Sequence, residues 1–539
     1  MIKYRQTTRY INFLSRQRAQ QLRFTSTNVQ NSPSENKALP TEWQNAKPFE
    51  EIPSMGDKSM MKDMLPWGKY GRMELPKLLV TLKQDMGPIV RAPAFMGRPT
   101  SVITHNPNDF EIVFRNEGIW PIRPGGDAQT YHRTVHRKDF FEGVTGLVAV
   151  HGEKWGSFRS AVNPVLLQPK NVRVYLHKMA QVNDEFIKRI RQIRDPETLE
   201  VPATFQEEMN RWTLESVSVV ALDKQLGLIT TNRDNPDLKK MISLLNDFFE
   251  LGLKLQVGIP IWKYFKTPKF WKFMKVLDGL LEIGNKYVNE AIERLDAEKK
   301  MDLPEKPENE KSVLEKLIKI DRKIATVMAI DLILAGVDTT STTFTALLLC
   351  LAKHPEKQEK LREEIRQILP HKDSQFEPNS LNNIPYTRAC IKEALRMYPL
   401  TVGNTRILAN DAVLSGYQVP KGTQVTMVST ALLQEDEHYT KAKEYLPERW
   451  LRPNKAAEEA GECPHALKAS SPFIYLPFGF GPRSCAGRRI VEMELELGIA
   501  RLVRNFHIEY NYPTDNAFKF KLINIPNIPL TFKFTDVEN

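Results

Sequence analysis

The densest chemistry in the chain lies in one short stretch, Phe478-Gly-Phe-Gly481-Pro-Arg483-Ser-Cys485-Ala-Gly487, followed by Arg488 and Arg489. Gly479, Gly481 and Gly487 permit backbone conformations and close approaches that a Cβ forbids, which suits a loop pressed against a flat ligand. Cys485 stands just ahead of an amphipathic run, 488–504, that reads as a helix. A helix N-terminus and nearby arginines favour the thiolate, the form that binds a soft metal. No second ligand at zinc spacing accompanies it, which argues against a zinc centre. A single axial thiolate on haem iron fits better, with a glycine-rich turn around an inert cysteine as the bland alternative.

Four further motifs precede this loop. Within 322–351, the order Ala335-Gly336-Val-Asp338-Thr339-Thr340 sets an acid and hydroxyls into an apolar helical pattern. An interior Gly costs about 1 kcal/mol against Ala, and Thr hydroxyls bond carbonyls one turn back. Together they predict a local distortion and a polar niche, where an acid beside a hydroxyl could relay protons. A buried helix with a few satisfied hydroxyls explains the same residues, and is the better reading of this motif alone. Glu393-Ala-Leu-Arg396 places opposite charges three residues apart on a helix that ends near Pro399, and Pro447-Glu-Arg449-Trp450 follows. Trp155-Gly-Ser-Phe-Arg159 sets an indole N–H and a guanidinium one turn apart, two donors that could meet one carboxylate.

Taken in chain order, the motifs resemble those of the cytochrome P-450 family, over roughly Pro40 to the C-terminus. The resemblance implies a mainly α fold, a large helical domain with a small β-sheet region, and haem b (iron protoporphyrin IX) as cofactor. It makes Cys485 the proximal iron ligand and Arg483 a partner of one haem propionate. Trp155 and Arg159, with Arg406, would hold a propionate, Phe478 would shield the sulfur, and Gly487 would complete the cofactor loop. Asp338 and Thr339 would guide protons to bound dioxygen, with Ala335 and Gly336 leaving room for it. Glu393, Arg396 and Arg449 would form a buried structural triad, and breaking a buried ion pair costs about 3–5 kcal/mol. Trp450 stands where the family often has Phe, a conservative aromatic change.

Such chemistry consumes electrons, and no Gly-x-Gly-x-x-Gly element follows a strand here, so a partner must deliver them. Arg388 and Lys392 lie four residues apart on the helix of Glu393. The resemblance makes this basic pair the dock for an acidic [2Fe-2S] ferredoxin served by its reductase. The reaction implied is a monooxygenation with O2, hydroxylating or epoxidising a lipophilic small molecule, xenobiotic or steroid-like. The chain resembles the arthropod mitochondrial branch of the family, which implies either steroid hydroxylation or clearance of foreign compounds; with no feature marking a steroid pocket, foreign compounds are the expectation. Rivals from other classes are a haem-thiolate isomerase or dehydratase that needs no electrons, and a non-catalytic haem sensor.

The elements that must position these residues follow from composition. The 539 residues are 41% apolar, enough for a large core. Four cysteines in so long a chain fit a reducing compartment rather than a disulfide framework. No run approaches roughly 20 continuous apolar residues, so no spanning helix is expected. The first 30 residues carry Lys3, Arg5, Arg9, Arg16, Arg18 and Arg23 without one acid, the composition of a mitochondrial transit peptide. The division expected is a transit peptide over 1–26, a flexible Pro-rich lead-in over 27–53, and one enzyme domain over 54–539. Removing those six charges leaves +5 of the net +11, so the basic balance belongs largely to targeting. From Lys254 to Lys275, six lysines and no acid alternate with Trp262, Tyr264, Phe265, Phe270, Trp271 and Phe273. That pattern suits peripheral contact with the inner mitochondrial membrane on its matrix side, and not nucleic acid.

Overall fold

The computed structural model describes residues 41–56, 62–65, 67–94, 97–232, 234–257, 260–301, 306–452 and 469–538. The expected transit peptide and most of the lead-in lie outside them. Two compact units divide at Lys47 and Pro48; the described part of the first carries one helical turn, Thr41–Asn45.

The second unit is built on long helices. The principal ones are α1 (Leu75–Met86), α2 (Pro107–Arg115), α3 (Gly152–Leu166), α4 (Leu176–Ile193), α5 (Phe205–Ala221) and α6 (Pro236–Val257). After these come α7 (Pro268–Lys300), α8 (Arg322–Lys353), α9 (Pro355–Ile368), α10 (Pro385–Met397) and α11 (Arg488–Asn505). Their boundaries have local causes. Asp321 caps α8 by accepting from the Ile324 amide at 2.9 Å, and Thr267 caps α7 ahead of Pro268. Helix α4 is amphipathic, burying Met179, Val182, Phe186 and Ile190 along one stripe.

Helix α8 is different, apolar on nearly every side. Against the reading of the sequence, it is long and apolar enough to cross a membrane by composition, yet 78% of its most apolar stretch is buried within the protein. It is therefore a core helix, lying along α5 and touching α7, α10 and two strands. The expected distortion is also not seen. The helix runs unbroken from Arg322 to Lys353. Thr339 Oγ1 donates to the Ala335 carbonyl at 2.6 Å and Thr343 Oγ1 to the Thr339 carbonyl at 2.8 Å, so these two hydroxyls are satisfied without opening a turn, while Thr340 Oγ1 is buried without a partner.

The β region is small. One four-stranded sheet has the order β1 (Ile89–Ala92), β2 (Ser101–Thr104), β4 (Gln424–Val428), β3 (Gly403–Ile407), with two-stranded ribbons elsewhere. Strand β3 runs antiparallel to β4 with Arg406 opposite Val425. Along β3 only Arg406 is buried, so the pleat turns that guanidinium inward.

A cysteine loop, an arginine cluster and a buried acid

Gly479 and Gly481 both adopt left-handed backbone (φ +72° and +65°), which folds the ligand loop tightly. Gly487 does not need such freedom. Its φ is −85°, and a Cβ there would sit 3.9 Å from the Cys485 sulfur, ordinary contact. The Cys485 amide donates to the Phe478 carbonyl at 2.8 Å and closes the loop. Cys485 is exposed, yet the protein crowded around its sulfur limits solvation and pushes its thiol up. The Gly487 amide, Arg159, Arg123 and the Arg488 amide all pull it back towards thiolate. The helix start thus aims N–H groups at the sulfur. The Phe478 ring lies under Arg488, 5.5 Å from its guanidinium carbon.

Four guanidiniums converge around this loop. Arg483 stacks on Trp155, 3.7 Å from the ring centre, and donates to the carbonyls of Pro121 (2.8 Å) and Val150 (3.1 Å). Arg159, from α3, donates to the Ser484 carbonyl at 2.8 Å, while its Nε is buried without a partner. Arg406 pairs with Glu117 at 2.5 Å and reaches the Phe480 carbonyl at 3.2 Å. Burial, followed by the neighbouring Arg123, Arg406 and Arg159, pulls Arg483 down to about 9. Charges held this close need anions. A flat ligand with two carboxylates and a thiolate-seeking metal, such as haem, fits that donor set.

Arg123 and Glu117 escaped the reading of the sequence. Arg123 sits in the irregular segment Pro121–Pro124, and nothing local separates it from the chain's other 75 basic residues. Its guanidinium has no protein hydrogen bond among the described residues, yet it feels the charges of Arg406 and Cys485.

On α8, Ala335 is exposed and Gly336 and Thr339 are half-buried, in a stretch whose neighbours are covered. Asp338 is buried, its Oδ2 has no partner, and burial pushes its carboxyl up to about 7. Gly336 has a packing role that the sequence did not reveal: a Cβ there would meet Val217 Cγ2 of α5 at 2.8 Å. Leu147 ties α8 to the ligand loop, donating its N–H to Asp331 at 3.0 Å and accepting from Arg483 at 3.5 Å.

Behind the loop, Glu393 accepts from Arg396 through both oxygens (2.8 and 3.0 Å) and from Arg449 Nε at 2.9 Å, with all three side chains buried. Arg396 also reaches the carbonyls of Leu433 and Ala442, both at 2.7 Å. Trp450 is more than an aromatic filler here: its indole N–H donates to Glu393 Oε2 at 2.8 Å.

The basic pair on α10 is unequal. Arg388 is held by Glu496 at 2.7 Å, which neutralises it, whereas Lys392 is exposed. Arg488 and Arg489 share Glu492. These residues rim a cavity of about 580 Å³ behind the ligand loop, together with Phe478 and Arg173. In the basic-aromatic stretch, Trp262, Phe270 and Phe273 are core residues, and only Tyr264 (60% exposed), Phe265 (75%) and Trp271 (44%) face outward.

The family model for cytochrome P450 matches residues 60–534. Cytochrome P450 CYP12A2 of Musca domestica is 62% identical over 502 residues, covering 93% of this chain and 94% of that relative. Probable cytochrome P450 12a5, mitochondrial, of Drosophila melanogaster is 55% identical over 99% of this chain and 98% of its own length. Cytochrome P450 12b1, mitochondrial, of Drosophila acanthoptera is 39% identical over 87% and 86%. With a family match over nearly the whole second unit and the cysteine loop, arginine cluster and buried triad in one molecule, the chain belongs to the cytochrome P450 family of haem b-dependent, haem-thiolate monooxygenases.

Proposed function

We propose that this is a mitochondrial monooxygenase that hydroxylates or epoxidises a lipophilic small molecule with O2, fed with electrons by an acidic [2Fe-2S] ferredoxin. The observation that carries the site assignment is the exposed Cys485 at the start of α11, where two amides, Arg159 and Arg123 offset part of the rise that desolvation gives its thiol. Cys485 would ligate haem iron, and Arg159, Arg123, Arg406 and Arg483 would hold the two propionates. Bound haem supplies the activation of dioxygen.

The chain's own residues supply protons and order. Asp338, at about 7, is poised to hold or release a proton near neutral pH, where a carboxyl at its ordinary value would stay ionised. Thr339 keeps its hydroxyl on the exposed side of α8, anchored to Ala335. Such a relay supports oxygen chemistry over the electron-free isomerase and over a sensor. Lys392 and the basic rim of the cavity behind the loop would receive the ferredoxin.

Two of the relatives above carry mitochondrial in their names, and the acid-free, arginine-rich start supports the same compartment. Trp67, Tyr264 and Phe265, exposed beside lysines, support shallow contact with the inner membrane. The test is reconstitution of the full chain with haem, ferredoxin and its reductase. Substrate-dependent oxygen uptake that stops when ferredoxin is withheld supports the proposal; turnover without electrons contradicts it.

A further inference from the structure

We infer that Glu117 is the internal counter-anion of the arginine cluster and the positioning residue for Arg406, so that the site reaches charge balance with a dianionic ligand. The inference rests on the haem reading above. Glu117 follows α2 by two residues and is buried, and its Oε2 lies 2.5 Å from Arg406 Nε, a side chain only 1% exposed. Arg406 has five N–H donors. Three are committed, to Glu117, to the Thr405 carbonyl (3.0 Å) and to the Phe480 carbonyl (3.2 Å), which fixes the plane of the fork and leaves two N–H for a ligand. Without Glu117, the Nε edge would be buried and unsatisfied.

The charges close in the same way. Arg483 feels the charges of Arg123, Arg159 and Arg406, Arg123 those of Arg406 and Arg159, and Glu117 is the carboxylate that faces Arg406 and Arg483. A thiolate at Cys485 would cancel a second positive charge, and two ligand carboxylates the rest, so the count closes for ferrous haem, whose iron–porphyrin core is neutral, and leaves one positive charge for ferric haem. Of the other ionisable neighbours, His151 is pushed down, away from its charged form, by burial and by Arg483, and Asp127 is paired with Lys263. The ligand loop is shaped to admit Glu117: a Cβ at Gly481 would come to 2.3 Å from Glu117 Oε1. Nothing in the sequence near Glu117 announces this role.

Glu117→Gln keeps an oxygen for Arg406 Nε and removes the charge, so it separates balance from position. In haem-loaded full chain, E117Q should shift the ferric–ferrous midpoint potential in the positive direction. The expected change is up to tenfold in that equilibrium, 59 mV for one electron. Glu117→Asp, which keeps the charge, should stay near the wild-type potential. Glu117→Ala, which also frees Arg406, should lose haem severalfold faster to an apo-globin scavenger. If E117Q does not load haem, the E117Q/R406Q double variant removes the pair as a neutral unit and should return the potential of R406Q towards wild type. A potential unchanged in E117Q, or R406Q and E117Q/R406Q alike, overturns the inference. Failure of the wild-type chain to form a thiolate-type carbon monoxide complex overturns the haem reading itself, which makes the two failures distinguishable.

Discussion

Trp450→Phe tests whether the buried carboxylate of Glu393 needs its fifth donor. Glu393 accepts from Arg396 twice, from Arg449, from the Leu446 amide at 3.0 Å and from the Trp450 indole at 2.8 Å. The substitution keeps an aromatic ring but deletes one hydrogen bond to an ionised group, worth about 1.5–3 kcal/mol. Arg396 Nε still reaches Oε2, so that oxygen is not orphaned and the loss should stay within that range. It corresponds to a factor of about 10–150 in the folding equilibrium. Glu393→Gln, which leaves two buried guanidiniums short of their counter-ion, should cost more, about 3–5 kcal/mol. Urea denaturation of the haem-loaded chain, read by haem absorbance and by circular dichroism, gives both values. Equal stability of Trp450→Phe and wild type would refute the reasoning, because the indole N–H would then contribute nothing.

Other expectations follow from single contacts. Gly336→Ala pushes a methyl to 2.8 Å from Val217 Cγ2 and should cost about 1–3 kcal/mol by overpacking; Val217→Ala should recover part of that loss in the same denaturation assay. Asp338→Asn should retain the carbon monoxide complex while slowing product formation. Between pH 4 and 7 the folded Asp338 keeps a proton that its unfolded counterpart has lost, so this group makes wild-type stability fall as pH rises, and the Asn variant should lose that slope. Lys392→Glu should raise the KM for ferredoxin, with the largest effect at low salt, and leave stability unchanged. Arg388→Glu should destabilise the chain by stranding Glu496.

The chemistry that sits in contiguous sequence was legible, and the chemistry assembled across the chain was only partly so. Cys485 and its glycines are neighbours, and Trp155/Arg159 and Glu393/Arg396 share helical turns, so spacing alone brings them together. Arg406 pairs with Glu117 across 289 positions, and Arg123 lies in a segment with no periodicity, so no local pattern could disclose either. Helix α8 misled in another way. Glycine and threonine in an apolar run suggested a distortion, but Thr339 and Thr343 bond the carbonyls four residues back and the helix stays regular. Basic residues also read as freer than they are, since Arg388 and the arginines at 488 and 489 each have an acidic partner that sequence spacing alone did not weigh. The aromatic run after Lys254 divides between core and surface because a 3-10 turn and the start of α7 point alternate rings inward.

The most direct test of the account is the absorption of the reduced, carbon monoxide-treated protein, compared with Cys485→His. Sulfur ligation predicts a strongly red-shifted haem band in the wild-type chain, moving to the position typical of imidazole-ligated haem in the variant. A folded wild-type protein that binds haem and gives the imidazole-type band from the outset would contradict Cys485 as the iron ligand.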